Sequence, residues 1–322
     1  MYRNVKLEKG LYNLSGKSFA QALEEADPSE NYKDTPLANL DAYERQLKRF
    51  DIKVNGKDCD CISKFFTTTE SAILFPEFVS RTIKQGMADS FLDKIVAVKT
   101  PCSSRIYRSF SITESSTAYG TTTAQGDSLP MTSITESSEA IALNKFGRII
   151  STSYEALMNQ SIEAYSITLR AVGRKLATAI LGKAVYFLSL GASSISSSGS
   201  ELTYSDIATL YGSFTDFKLD MILTSNTVAA KILSMSAMED CTYDENGLTR
   251  FPFGAALLSS SQIPNEKIIG IDSRYALEMI SNTDIFLETD KMIDKQLDRI
   301  SVSIYVAFKR LINDAVKVLK LS

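Results

Sequence analysis

Apolar side chains recur at steps of three and four along two stretches of this chain. In LFPEFVSRTIKQGMADSFLDKIV, the positions Phe75, Phe78, Val79, Ile83, Met87, Phe91 and Ile95 line one helical face. Pro76 falls in the first turn, where its missing N–H costs nothing. The second stretch runs through Tyr154, Met158, Ile162, Tyr165, Leu169, Val172, Leu176, Ile180, Ala184 and Phe187. It predicts one helix from Ser153 to Leu190, roughly 55 Å long at about 1.5 Å per residue, entered through a capping box over Thr152–Glu155. Gly173 and Gly182 inside it weaken the helix and suit a bend or a close packing contact.

Between these helices the period changes from helical to alternating. Phe110-Ser111-Ile112-Thr113 and Ile141-Ala142-Leu143 predict the two strands of a long hairpin, with Gly120, Gly126 and Pro130 near its turn. From Ser109 to Asn144 the chain is mostly Ser, Thr, Gly and Ala, carries the acids Glu114, Asp127, Glu136 and Glu139, and contains no Lys or Arg. Such a segment has no core of its own, and long loops of this kind are functional or disordered. Upstream, Leu40, Tyr43, Leu47 and Phe50 predict a short amphipathic helix that needs a surface to bury its stripe. Downstream of the serine-rich stretch Ser189–Glu201, strands and helices alternate. A helix is expected at Asp206–Phe214, a strand at Met221–Thr224, and a helix capped by Asn226 running through Val228, Ile232, Leu233 and Met235. Further strands are expected at Ile268–Ile271 and Ile300–Phe308, with a short apolar segment at Val316–Leu319. The class is α+β, with a small α/β unit inside it.

Composition narrows the chemistry. The 322 residues are 44% hydrophobic and 23% charged with a net charge of -3, an ordinary globular balance for about two domains. There is no histidine, which removes Ser-His-Asp and Cys-His nucleophilic sites, HExxH zinc proteases and His-ligated iron. Neither phosphate-loop signature, GxxxxGK[ST] or GxGxxG, occurs. The clustered acids Asp272, Glu278, Asp284 and Glu288 are the candidates for carboxylate catalysis, but acids near helix and loop ends are mostly solvated or capping. An enzyme is therefore not expected, nor is a cofactor or metal. The four cysteines read as free thiols of a reducing compartment. Arg3, Lys6 and Lys9 are followed by no apolar h-region, so a secretory signal is not expected, and no stretch reaches about 18 uncharged apolar residues. Residues 1–65 balance 11 basic against 11 acidic side chains and read as an extension.

The order of parts and several phrases carry a resemblance. ILFPEFVSRTIKQGM, KFGRIISTSYEALMNQS, LTYSDIATLYGSF with MILTSNTVAAKILSM, and FGAALLSSSQIPNEKIIGIDSRYALEMI together resemble the major capsid protein of tailed bacteriophages, the Hong Kong 97 type, over residues 70–322. The resemblance implies an N-terminal arm (1–69), the start of a peripheral domain (70–102), an extended E-loop (103–150), a spine helix with its linker (151–202), an axial domain (203–290), and a return strand with a C-terminal strand (291–322). It implies a virion shell subunit assembled in the host bacterial cytoplasm, whose main partner is itself, in pentamers and hexamers. Portal protein, scaffold or cement proteins, and weakly touched double-stranded DNA complete the implied partners, with no membrane. The E-loop would lie across a neighbouring subunit, with Glu114, Asp127, Glu136 and Glu139 facing Arg170, Arg174 and Lys175 next door. Some relatives cross-link that loop through a lysine, which this loop lacks. The short extension is then expected to be an uncleaved arm wrapping a neighbour. Two alternatives remain at this point: an encapsulin-type nanocompartment shell protein, and a surface or tail-associated binding module.

Overall fold

The computed structural model describes residues 5–12, 14, 17–114, 122–245, 247–282 and 285–321, with Glu114 described in its backbone only. In chain order the helices and strands begin with α1 (Phe19–Ala26), α2 (Ala42–Arg49), α3 (Thr69–Ala72), α4 (Leu74–Ala88) and α5 (Leu92–Ile95). Six strands follow: β1 (Val98–Pro101), β2 (Ile106–Tyr107), β3 (Phe110–Glu114), β4 (Thr132–Glu136), β5 (Ile141–Ala142) and β6 (Asn144–Ser153). Then come α6 (Tyr154–Asn159), α7 (Ile162–Ser189), β7 (Ser193–Ser196), α8 (Tyr204–Gly212), β8 (Met221–Thr224) and α9 (Asn226–Leu233). The chain closes with β9 (Thr242–Tyr243), β10 (Thr249–Arg250), β11 (Ala256–Ser259), β12 (Lys267–Ile271), β13 (Leu277–Ser281), β14 (Phe286–Met292), β15 (Leu297–Arg310) and β16 (Val316–Lys320).

Two sheets share α7 as a common layer. In the first, the long strand β15 pairs with β6, β14 and β13, and β13 continues to β1. The even positions of β15, Ile300 to Phe308, bury against α4 and α7, so strand alternation sets which face is covered. The second sheet runs β7-β16-β12-β8-β11-β10-β9. Leu223, Ile269, Ile271 and Val318 face the C-terminal half of α7, while Ile222, Ile268 and Leu319 face α8 and α9. Covered on both faces, the central strands β8 and β12 are near-continuous apolar runs. Sheet membership therefore divides the chain differently from the sequence expectation. β13 and β14, largely inside 203–290, belong with β15, whereas β7 and β16, outside it, complete the α/β sheet.

Three other expectations change. The helix expected from Ser153 to Leu190 is two, α6 and α7, because Gln160 is extended and Ser161 caps the second helix by accepting from the Ala164 N–H. Residues 60–62 bridge the break: Ile62 N–H donates to the Gln160 carbonyl (3.0 Å) and Ile162 N–H to the Asp60 carbonyl (2.9 Å). The N-cap of α6 is Ser153 rather than Thr152, and that of α9 is Ser225 rather than Asn226.

The segment expected to be an arm is a folded layer on its own chain. α2 buries Tyr43 and Leu47, and Leu23, Ile62 and Phe65 join them against Phe75, Phe78 and Val79 of α4. Fully buried Arg45 holds this layer together. Its Nε donates to Asp27 Oδ2 (3.0 Å), its Nη1 to Ser29 Oγ (2.9 Å) and the Leu40 carbonyl (2.6 Å), and it stacks on the Tyr32 ring. Tyr12 OH reaches the Ile73 carbonyl at 2.7 Å. The apolar stripe of α2 thus finds its covering surface at the start of α4, within the same chain.

Candidate inter-subunit surface

The hairpin forms as expected, with a different pairing. β3 pairs with β4, setting Ile112 opposite Ile134, whereas Ile141 and Ala142 of β5 pair with Tyr107 and Ile106 of β2. Gly120, placed near the turn by sequence, lies outside the described residues. The root is anchored by a small core of Cys102, Leu143, Ile280 and Ala307. Beyond the root, apolar residues face water: Ile112 is 44% exposed, Ile134 69%, Met131 65% and Leu129 77%. An isolated two-stranded ribbon is marginally stable at best, and its apolar cross-strand pair is its main adhesive.

Asp127, Glu136 and Glu139 are exposed on this hairpin, and the side chain of Glu114 lies outside the described residues. Arg170, Arg174 and Lys175 are exposed on α7. Within one chain the structure does not bring the two groups together: no ion pair among the described residues joins them. Arg170 makes one long hydrogen bond, Nη2 to Ser166 Oγ at 3.5 Å, which leaves its charge directed outward.

The acids considered for catalysis scatter. Asp272 accepts from Arg274 Nε and Nη2 and from the Lys218 N–H, all at 3.0 Å; although burial pushes its pKa up, these donors hold it below the ordinary aspartate value. Glu278 is buried at the hairpin root, Glu288 is exposed on β14, and Asp284 lies outside the described residues. Among the described residues no group of three His, Cys, Asp or Glu is placed to hold a metal ion, and no helix is long and apolar enough to cross a membrane.

No protein-family model and no curated protein matches the sequence. In structure the chain is similar to a virus-like particle protein from Pyrococcus furiosus, at 12% identity and TM-score 0.55, covering 76% of this chain and 98% of that one. It is similar to the SrpI encapsulin of Synechococcus elongatus PCC 7942, at 14% identity and TM-score 0.53, covering 71% and 86%. It is also similar to the capsid of the cyanophage P-SCSP1u, at 13% identity and TM-score 0.50, covering 71% and 86%. The chain has the Hong Kong 97-type capsid fold. The solved chains are spanned over most of their length, while 24% of this chain or more lies outside each match. Sequence reasoning considered Glu278 only as a catalytic acid and missed its place at the hairpin root, because Tyr107 and Ser109, its neighbours in space, are far from it in sequence.

Proposed function

We propose that this chain is the structural subunit of a closed phage-type capsid, assembling with copies of itself into hexamers and pentamers around double-stranded DNA. In that role the hairpin is the E-loop and α7 the spine helix. The observation that carries this reading is a capsid fold whose hairpin leaves its Ile112–Ile134 face uncovered within one chain. A second copy supplies the missing cover, and the acids Asp127, Glu136, Glu139 and Glu114 meet Arg170, Arg174 and Lys175 across that junction. Shell building needs no catalytic residue, which suits the scattered acids. The layer of residues 5–66 packs on its own chain, so the E-loop is left as the main reach to a neighbouring subunit. Portal, scaffold and cement proteins are the partners this role calls for, in a virion formed in the host cytoplasm.

Electron microscopy of the purified protein, with its nucleic acid and co-purifying proteins measured on the same sample, tests the reading. Closed shells or ring-shaped capsomers are expected. Deleting residues 113–137 is expected to leave a folded subunit that no longer assembles; shells formed by that variant exclude the E-loop from the contact. The likeness to the SrpI encapsulin supports one other shell role, a compartment around a cargo enzyme. An enzyme packed inside the shells establishes that role in place of the phage one. A monomer at every concentration leaves two readings, a shell subunit that needs its scaffold protein and a binding module.

A further inference from the structure

Glu278 is 3% exposed, and no ion pair among the described residues includes it. A carboxylate withdrawn from water is costly unless other donors replace its hydration. Here three hydroxyls do so, and all three come from the chain entering the E-loop. Thr100 Oγ1 (2.6 Å) and Tyr107 OH (3.1 Å) donate to Oε1, and Ser109 Oγ donates to Oε2 (3.0 Å). The residue opposite Glu278 across the β13–β15 ladder is Lys309, on the same face of the sheet. That cross-strand pair would ordinarily close into an ion pair. Instead, Lys309 Nζ donates to the Phe110 carbonyl at 2.5 Å and stands 5.7 Å from the centre of the Phe110 ring. Each charge passes over its cross-strand partner, and the two hold the successive residues Ser109 and Phe110 of the E-loop root.

We propose that Glu278, with Lys309 opposite it, is a positioning residue for assembly: the two set the direction in which the E-loop leaves the subunit before a neighbour is met. The proposal rests on the shell reading above. A ribbon that is marginal by itself cannot set its own direction, so its aim has to be fixed at the root. Setting it in the free subunit removes an ordering cost from each contact the loop then makes.

The test compares Glu278→Leu, Glu278→Gln and Lys309→Met in the full chain by hydrogen exchange and by the assembled fraction. The root amides to follow are Ser137, which donates to the Ser109 carbonyl, and Leu143, which donates to the Arg105 carbonyl. Glu278→Leu is expected to speed their exchange at least about tenfold and to leave Ile269 in β12 unchanged, since opening is local. Its assembled fraction falls by a similar factor. Glu278→Gln keeps an acceptor for Thr100 and Tyr107 and offers an N–H to Ser109 Oγ, so it restores both readouts most of the way. Lys309→Met leaves all three hydroxyls in place and gives both effects in smaller measure, which keeps the test decisive if Glu278→Leu fails to fold. Unchanged exchange at Ser137 and Leu143 in the Lys309 and Glu278 variants, or assembly equal to that of the wild type, overturns the proposal alone. A wild-type chain that stays monomeric even beside a scaffold protein overturns the shell reading and this proposal with it.

Discussion

Asp206 stands at the third position of α8 and takes four hydrogen bonds, from the backbone N–H and hydroxyl of Ser198 (both 2.8 Å) and from the N–H (2.9 Å) and hydroxyl (2.7 Å) of Thr203. Burial alone pushes its pKa up, but these donors outweigh it and bring the carboxyl from 3.8 down to about 2. A carboxylate whose pKa is depressed on folding stabilises the native state above its unfolded value, and that contribution drains away as pH falls toward the folded one. Asp206→Asn is therefore expected to cost about 2 kcal/mol at pH 7 and to flatten the loss of stability between about pH 4 and pH 2. Urea titrations at about pH 7, 4 and 2 check this; an equal difference between the two proteins at every pH sinks it. In sequence, Thr203-x-x-Asp206 has the spacing of a cap, but Ser198 lies further upstream and nothing local marks it as a partner. Arg45 and Asp27 pose the same difficulty over 18 residues. Charged residues on a balanced segment read as solvated until a fold buries them together.

Among the elements, the contact between α4 and α7 depends on two glycines. A Cβ on Gly86 would collide with the Arg170 carbonyl, and one on Gly173 with the Ile83 carbonyl, so each helix presses backbone against backbone. Gly182 in the same helix meets only the flexible end of the Gln262 side chain. Gly173→Ala is expected to cost about 1–3 kcal/mol through overpacking, whereas Gly182→Ala is near neutral or stabilising because alanine favours the helix. Thermal unfolding of the two variants distinguishes them, and equal midpoints would contradict the packing argument. The periodicity of α4 and α7 was legible because apolar side chains at helical spacing are a local signal. The break at Gln160 was not, since the apolar stripe runs on across it. What interrupts the helix is a pairing with residues 60–62, distant in sequence, together with the serine cap.

Across the molecule, the hairpin stretch Ser109–Asn144 carries four acids and no Lys or Arg, and α7 carries Arg170, Arg174 and Lys175, although the chain is close to neutral as a whole. If they meet across subunits, Arg170→Glu combined with Arg174→Glu weakens assembly more at low than at high ionic strength, because exposed charges are screened beyond about 10 Å at 0.1 M salt. Light scattering across a salt series measures this, and an unchanged salt dependence assigns the acids to another surface. Side-chain period and composition were enough to establish the α+β class, the long alternating strand, a polar hairpin and the lack of histidine, because each of these is written in neighbouring residues or in a count. Three outcomes emerged only from the folded chain: the N-terminal segment is a layer on its own subunit, β13 and β14 join the sheet of β15, and Glu278 meets Thr100, Tyr107 and Ser109. Those outcomes depend on which surfaces reach each other when a chain buries its apolar area. Residues 169 and 171 positions apart carry no shared local period to announce that meeting.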